Sequence, residues 1–381
     1  MKKVQNWFVI LLFLGTVFGF AGLTVFWEKR EFSDRENRAL AQLPKANLGD
    51  LLDGDFEQDY ETYLSDQFPG RDAWIGLKTD VELLMGKQEV NGVYFGADGY
   101  LIETHEGIYD TEQARGNLSL LQSFTRKYRE IFPDNRMTVM VVPNAVEILD
   151  CYLPFYAPDS GGEAYLEQIQ SMVPEGTWFD AGAVLERHPG EQLYYRTDHH
   201  WTTYGAYCVY EAWAKEKGLS PLGLSGYERE ILTTEFEGTI ASKVGTEVEA
   251  DSIERFMPKE EEAENYSLAV NRGQESRESL YQMEKLQTRD KYAVFYGGNQ
   301  ALIQASTEKK NGRRLLVIKD SYANCFVPFT YHDFSQVDMV DIRYFNESLE
   351  SLIEEGDYTD LLFLYNVSGF AQDVSLQKLL Q

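Results

Sequence analysis

Two short stretches of this chain carry residue types that could perform covalent chemistry together. Arg196 to Tyr204 reads RTDHHWTTY. Asp198 and His200 are two positions apart, so in an extended segment their side chains project to the same side, while His199 faces the other way. A carboxylate held against an imidazole fixes its tautomer and stabilises the imidazolium, which is what a general base acting on a serine requires. The second stretch, Lys319-Asp320-Ser321-Tyr322, directly follows the apolar run Leu315 to Ile318. A serine at a strand-to-helix turn is presented at the edge of a sheet, where the N–H groups of the following helix can meet a developing oxyanion. Each stretch also has a plainer reading. The Asp-His-His cluster is equally a satisfied hydrogen-bond network or a metal site using both histidines, and Asp or Ser before a helix is an ordinary N-cap. Ser321 therefore gains chemical meaning only if a base from elsewhere reaches it.

The surrounding pattern predicts elements able to position such residues. Met137 to Val142 (MTVMVV), Leu315 to Ile318 (LLVI) and Leu361 to Tyr365 (LLFLY) are apolar runs of strand length, and Val340 to Ile342 adds a shorter one. Helices are expected from Thr111 toward Phe132, from a Thr202 or Thr203 cap to Gly218, and over Glu347 to Glu355. Strands alternating with helices predict an α/β sheet with crossover connections. Ligands of such sheets bind beyond the carboxyl ends of the strands, which points to Asn144, Lys319 to Ser321, Arg343 and Asn366. Before this region, Asp53 to Lys87 has helical spacing broken at Phe68-Pro69-Gly70, and Val93 to Phe95 with Tyr100 to Ile102 reads as a hairpin. The charged stretch of about 218–290, with the acidic run Lys259 to Glu264, reads as an irregular insertion.

Trp7 to Trp27 is an uncharged run, long enough to span a bilayer as a helix and without a small-residue cleavage signal. The expected organisation is a cytoplasmic start and membrane anchor over 1–27, a tether over 28–52 and an extracytoplasmic domain over 53–381. Lys2 and Lys3 before the span are matched by Lys29 and Arg30 after it. Orientation thus rests on the tendency of long following domains to translocate whatever their charge. Lys+Arg 35 against Asp+Glu 62 gives a net charge of −27, which repels polyanions and argues against a nucleic-acid partner. Three cysteines, Cys151, Cys208 and Cys325, form no CxxC or metal-ligand spacing.

Taken together, the two motifs and several others make the chain resemble the DHHW family, grouped with the AlgX/AlgJ-like SGNH proteins that O-acetylate exported polysaccharides. The marks run over most of the chain: FSDRENRAL after the anchor, GVYFGADGYLIE from Gly92, TDHHWTTYGAY, EGTIASKVG at Glu237 to Gly245, FYGGN at Phe295 to Asn299, LLVIKDSYANCFVPF and LLFLYN. The resemblance implies a Rossmann-like SGNH-hydrolase sheet with rearranged motif order, in which the Asp-x-His pair precedes the serine. Asp198 and His200 then match the D-x-H-W pattern and Ser321 the nucleophile, with Arg343 and Tyr365 near the active site. Lys319 stands where many SGNH enzymes have a glycine, which leaves an oxyanion donor to be supplied by Asn366 or Asn299.

The implied activity is O-acetyl transfer, through an acyl-Ser321 intermediate, to hydroxyls of an exported or cell-surface polysaccharide. Trp201 would stack on a sugar face or pack in the core. No cofactor or metal is called for, and the acyl donor implies a membrane-protein partner that brings it across the bilayer. The alternatives are a carbohydrate acetylesterase using the same intermediate, a catalytically idle glycan-binding or assembly protein, and a metalloenzyme built on Asp198, His199 and His200.

Overall fold

The computed structural model of the chain describes residues 2–33, 38–45, 49, 53–133, 135–260 and 265–381. The fold is mixed α/β, and its contacts divide into two units, Met1–Lys87 with Ser242–Glu247, and Gln88–Ala241 with Val248–Gln381.

The first unit begins with a helix over Lys2–Phe26. Within it Gln5–Phe26 is long and apolar enough to cross a membrane, judged by length and composition. Two further helices, Asp55–Asp66 and Arg71–Leu84, lie on either side of a break where Gly70 adopts the left-handed conformation (φ 66°) that favours glycine. The stretch expected as a tether is fastened where it is described. The Arg30 guanidinium pairs with Asp72 at 2.9 Å, and the Gln67 amide donates to the Arg30 and Ala41 carbonyls at 2.8 and 3.0 Å. Its residues 34–37, 46–48 and 50–52 lie outside the described ones. The helices expected to open the globular domain at 53 thus group with the N-terminal helix, and the second unit starts at Gln88.

The second unit is built on a seven-stranded sheet. Its strands, numbered in chain order, are β1 (Met137–Val142), β2 (Tyr266–Val270), β3 (Glu275–Arg277), β4 (Leu302–Thr307), β5 (Arg314–Lys319), β6 (Gln336–Val340) and β7 (Asp360–Asn366). The spatial order is β3-β2-β4-β6-β5-β7-β1. The pairs β6–β5, β5–β7 and β7–β1 are parallel, and the three on the other side are antiparallel. The parallel strands are apolar on both faces because helices cover both. Leu315 and Val317 of β5 join one core cluster, and Leu316 and Ile318 join the other. Helices Ala323–Thr330 and Leu349–Glu355 make the crossovers from β5 to β6 and from β6 to β7.

Two expectations change. Of the run Val340 to Ile342 only Val340 is in a strand, the last residue of one that starts at Gln336. Its apolar signal is interrupted by Asp338, which is buried and accepts from Tyr358 at 2.6 Å and Gln304 at 2.8 Å. Of the acidic run, residues 261–264 lie outside the described ones, and the rest of the 218–290 segment is largely regular. Tyr227–Phe236 pairs with Asp251–Pro258 as an antiparallel ribbon, and β2 and β3 extend the central sheet.

The helix Thr203–Glu216, capped by the Thr202 hydroxyl, packs so tightly that a Cβ on Gly205 would stand 2.4 Å from the Leu193 carbonyl oxygen. Gly205→Ala should therefore cost about 1–3 kcal/mol of stability in urea denaturation. An unchanged midpoint would contradict this close approach.

Candidate active site

Ser321 follows β5 and precedes the helix Ala323–Thr330, at the carboxyl end of the parallel strands. The turn is held by Asp320, whose carboxylate accepts from the Tyr322 N–H at 2.8 Å, the Asn366 N–H at 2.7 Å and the Asn366 amide at 2.6 Å. Asp320 thus ties the end of β5 to the end of β7 and leaves Ser321 partly exposed. Among the described residues the Ser321 N–H has no hydrogen-bond acceptor.

The Asp198–His200 segment arrives from before the Thr203–Glu216 helix. It is bent rather than extended, and the Asp198 Oδ1 atom accepts from both the His200 N–H (3.0 Å) and His200 Nδ1 (2.5 Å). The other ring nitrogen, His200 Nε2, lies 2.8 Å from Ser321 Oγ. Oδ2 of Asp198 accepts from the Thr239 N–H at 2.8 Å and its hydroxyl at 3.1 Å. Gly238 makes room for this, since a Cβ there would meet Asp198 Cβ at 2.2 Å. Asp251 secures the approach by accepting from the Thr197 N–H (2.8 Å), the Thr197 hydroxyl (2.7 Å) and the Arg196 N–H (3.1 Å).

The two segments are stitched together beyond this contact. The Trp201 indole donates to the Tyr322 carbonyl at 2.9 Å, and the Tyr322 hydroxyl donates to the His199 carbonyl. Tyr292 stacks on the His200 ring at 3.8 Å between centroids, and its hydroxyl donates to the Ser321 carbonyl at 3.3 Å.

Burial opposes charging of His200, the positive charge of His199 adds to this, and together they outweigh Asp198 and bring the imidazole down to about 4. Burial alone would raise the Asp198 carboxyl. The charges of His199 and His200 and the hydrogen bonds from His200 and Thr239 overbalance it and hold the group well below the usual range. At neutral pH the chain therefore reads carboxylate, neutral imidazole, hydroxyl, an arrangement able to move the serine proton onto His200.

The other expected residues divide. Arg343 grips Asp341 through Nε (2.8 Å) and Nη2 (2.6 Å), and its charge reaches His200. Lys319 is buried, with its ammonium donating to the carbonyl oxygens of Asn299 (3.0 Å) and Asn324 (2.9 Å) and 3.5 Å from Asp341. This turns the Asn299 carbonyl toward Lys319, and among the described residues the Asn299 NH2 has no acceptor. The remaining three take different places, and of these Tyr365 departs from expectation. Asn366 caps the helix Val367–Gln372; its amide NH2 donates one bond to Asp320, and its side-chain oxygen accepts from Gly369 and Ser368. Tyr365 sits on the sheet face opposite Trp201, stacked on Phe363, with its hydroxyl donating to Asp373 at 3.3 Å. Trp201 is fully buried against Phe326 and Tyr322, so it offers no face to a sugar.

His199 does not face away. Its ring lies 3.9 Å from that of His200, and Nδ1 is 2.8 Å from the Thr239 hydroxyl. The ligand-type atoms of Asp198, His199 and His200 fall within 4.8 Å of one another. Those of His199 and His200 facing this cluster are already engaged with Thr239 and Asp198. Sequence reasoning missed Tyr292, Thr239, Gly238, Tyr322 and Asp251. The EGTIASKVG block contained Gly238 and Thr239 and the KDSY run contained Tyr322, but their roles show only once Asp198 and His199 are seen against them.

A family model described as "DHHW protein" matches residues 179–340. The chain is similar in structure to a DHHW family protein from Eubacterium siraeum, with 25% identity and a TM-score of 0.62 over 76% of this chain and 95% of that one. It is also similar to Bacillus cereus PatB1, at 17% identity and a TM-score of 0.60 over 73% of this chain and 97% of that one. A weaker likeness, at 14% identity and a TM-score of 0.43 over 74% and 94% of the two chains, is to the O-acetyltransferase domain of Pseudomonas putida AlgJ. The chain has no match among curated proteins.

Because the imidazole is neutral down to about 4, kcat/KM for an activated acetyl ester should stay nearly flat as pH falls from neutral to about 5, halve near 4 and drop roughly tenfold per pH unit below about 4. Circular dichroism across the same range separates titration from unfolding. An acidic limb centred at 6.5 or above would contradict the buried setting of His200.

Proposed function

We propose that the chain is a membrane-anchored, extracytoplasmic, serine-dependent O-acyltransferase of the SGNH type with rearranged motif order, which acetylates hydroxyls of an exported or cell-surface polysaccharide. The observation that carries this is the unbroken line Asp198–His200–Ser321, with separations of 2.5 and 2.8 Å, at the carboxyl ends of the parallel strands. The acetyl group and the glycan acceptor come from the family resemblance. The anchor is the helix Gln5–Phe26, and the bulk of the chain lies outside the membrane.

In the first half-reaction Ser321 Oγ attacks the acyl carbonyl while His200 Nε2 takes its proton, and Asp198 stabilises the resulting imidazolium. The oxyanion is met by the Ser321 N–H and the Asn299 amide, both without another acceptor among the described residues, with Arg343 supplying positive charge nearby. The leaving group departs with the proton from His200. In the second half-reaction His200 deprotonates a sugar hydroxyl, whose oxygen attacks the acyl-serine, forming the new ester and returning the proton to Ser321. Water in place of the sugar gives hydrolysis, which is the esterase alternative. The donor reaches this side through a membrane-protein partner. None of these steps calls on a cofactor.

The test offers the purified chain an activated acetyl ester and a hydroxyl-bearing oligosaccharide, with products read by mass spectrometry. The expected result is an acetylated acceptor, with turnover of Ser321→Ala reduced on the order of a thousandfold or more. Acetate without acetylated acceptor would make the chain an esterase, and wild-type rates in Ser321→Ala would exclude serine catalysis.

A further inference from the structure

The helix Arg71–Leu84, in the first unit, has two unlike faces. One face is packed: the Thr79 hydroxyl donates to the Val244 carbonyl at 2.6 Å, and a Cβ on Gly76 would stand 2.6 Å from the Gly245 carbonyl oxygen. The other face presents Trp74, Leu77, Val81, Leu84 and the capping Met85, with relative exposures of 48, 51, 45, 88 and 75%. At 3.6 residues per turn these positions form one stripe about 100° wide. No charged residue falls inside it; Lys78 and Asp80 border it, engaged with Glu82 and Thr246 respectively. Soluble surfaces scatter large apolar side chains singly, whereas this is a contiguous apolar face.

Its neighbour in the same unit says what covers it. Trp74 packs edge-on against Phe20 at 6.0 Å between centroids, and Phe20 stacks on Phe68 at 5.4 Å. Phe20 lies six residues inside the end of the apolar helix Gln5–Phe26, or about 9 Å along its axis. That depth is within the half-thickness of about 15 Å of a hydrocarbon core. A bilayer crossed by the first helix therefore reaches the level of Trp74, a residue type that settles at the boundary between headgroups and acyl chains.

We propose that the helix Arg71–Leu84 lies in the lipid–water interface with its Trp74–Met85 stripe among the acyl chains, as a second membrane contact beside the span. This rests on the reading of Gln5–Phe26 as a membrane anchor. The occupant is lipid rather than protein because the stripe continues directly from the span. With a net charge of −27 on the chain, the attachment is apolar and needs no anionic lipid.

The test uses the full chain with Cys151, its exposed cysteine, changed to Ser; Cys208 and Cys325 are buried. Leu77→Cys, Leu84→Cys, Gly15→Cys in the span and Glu228→Cys, exposed in the second unit, each carry a bimane fluorophore. The chain is reconstituted into phosphatidylcholine vesicles with and without acyl-brominated phosphatidylcholine. The proposal expects at least about twofold quenching by the brominated chains at positions 77, 84 and 15 and none at 228. Quenching at 15 but not at 77 and 84 would overturn the interfacial helix, leaving the anchor intact and pointing to a protein partner or second copy on the stripe. Absence of quenching at 15 as well would overturn the anchor and this proposal with it.

Discussion

One contact, His200 Nε2 to Ser321 Oγ at 2.8 Å, joins residues 121 positions apart, and the surrounding structure is arranged around making it. A hydrogen bond between two long, free segments would not hold them in register, because ordering each residue costs about 1–2 kcal/mol of backbone entropy while the bond returns about 1. Here the entropy is met elsewhere. The sheet fixes the end of β5, Asp320 locks the turn to β7, and Asp251 and Thr239 hold the segment that carries the imidazole. Trp201 and Tyr322 then close the joint with bonds in both directions between the two segments. A tryptophan that looked available for sugar binding instead fixes the position of the serine's neighbour.

The electrostatics follow from the same burial. A buried carboxylate stays ionised only where donors surround it, and Asp198 has four donated bonds, from His200 and Thr239. Lys319 is likewise buried, and burial draws its pKa down. Two amide oxygens and Asp341 receive its charge. Its effect on the site is geometric: by holding the oxygen of Asn299, it determines which side of that amide is left to donate.

The parallel strands were legible because burial on both faces leaves nearly continuous apolar runs, and the carboxyl-end rule then located Asn144, Ser321, Arg343 and Asn366 together. The hydrogen-bonded line Asp198–His200–Ser321 was legible through its residue types and the family resemblance. What escaped has physical reasons. The ribbon Tyr227–Phe236 with Asp251–Pro258 exposes charged side chains along much of its length, so no apolar period marks it. The strand at Gln336 is hidden by a buried carboxylate that its neighbours satisfy. Trp201 was left between a sugar face and the core, and Tyr365 was placed by the family resemblance; burial and sheet face decide what each side chain can touch. Tyr292, which stacks on the imidazole, stood among 24 tyrosines with nothing to single it out.

The account stands on Ser321 being activated by His200 and oriented through Asp198, and labelling by a fluorophosphonate with peptide mapping reads this directly. The modification is expected on Ser321 alone, with the His200→Ala variant labelled on the order of a thousandfold more slowly and Asp198→Asn also slowed. Failure of folded wild-type protein to label at Ser321, or an equal rate in His200→Ala, would contradict it.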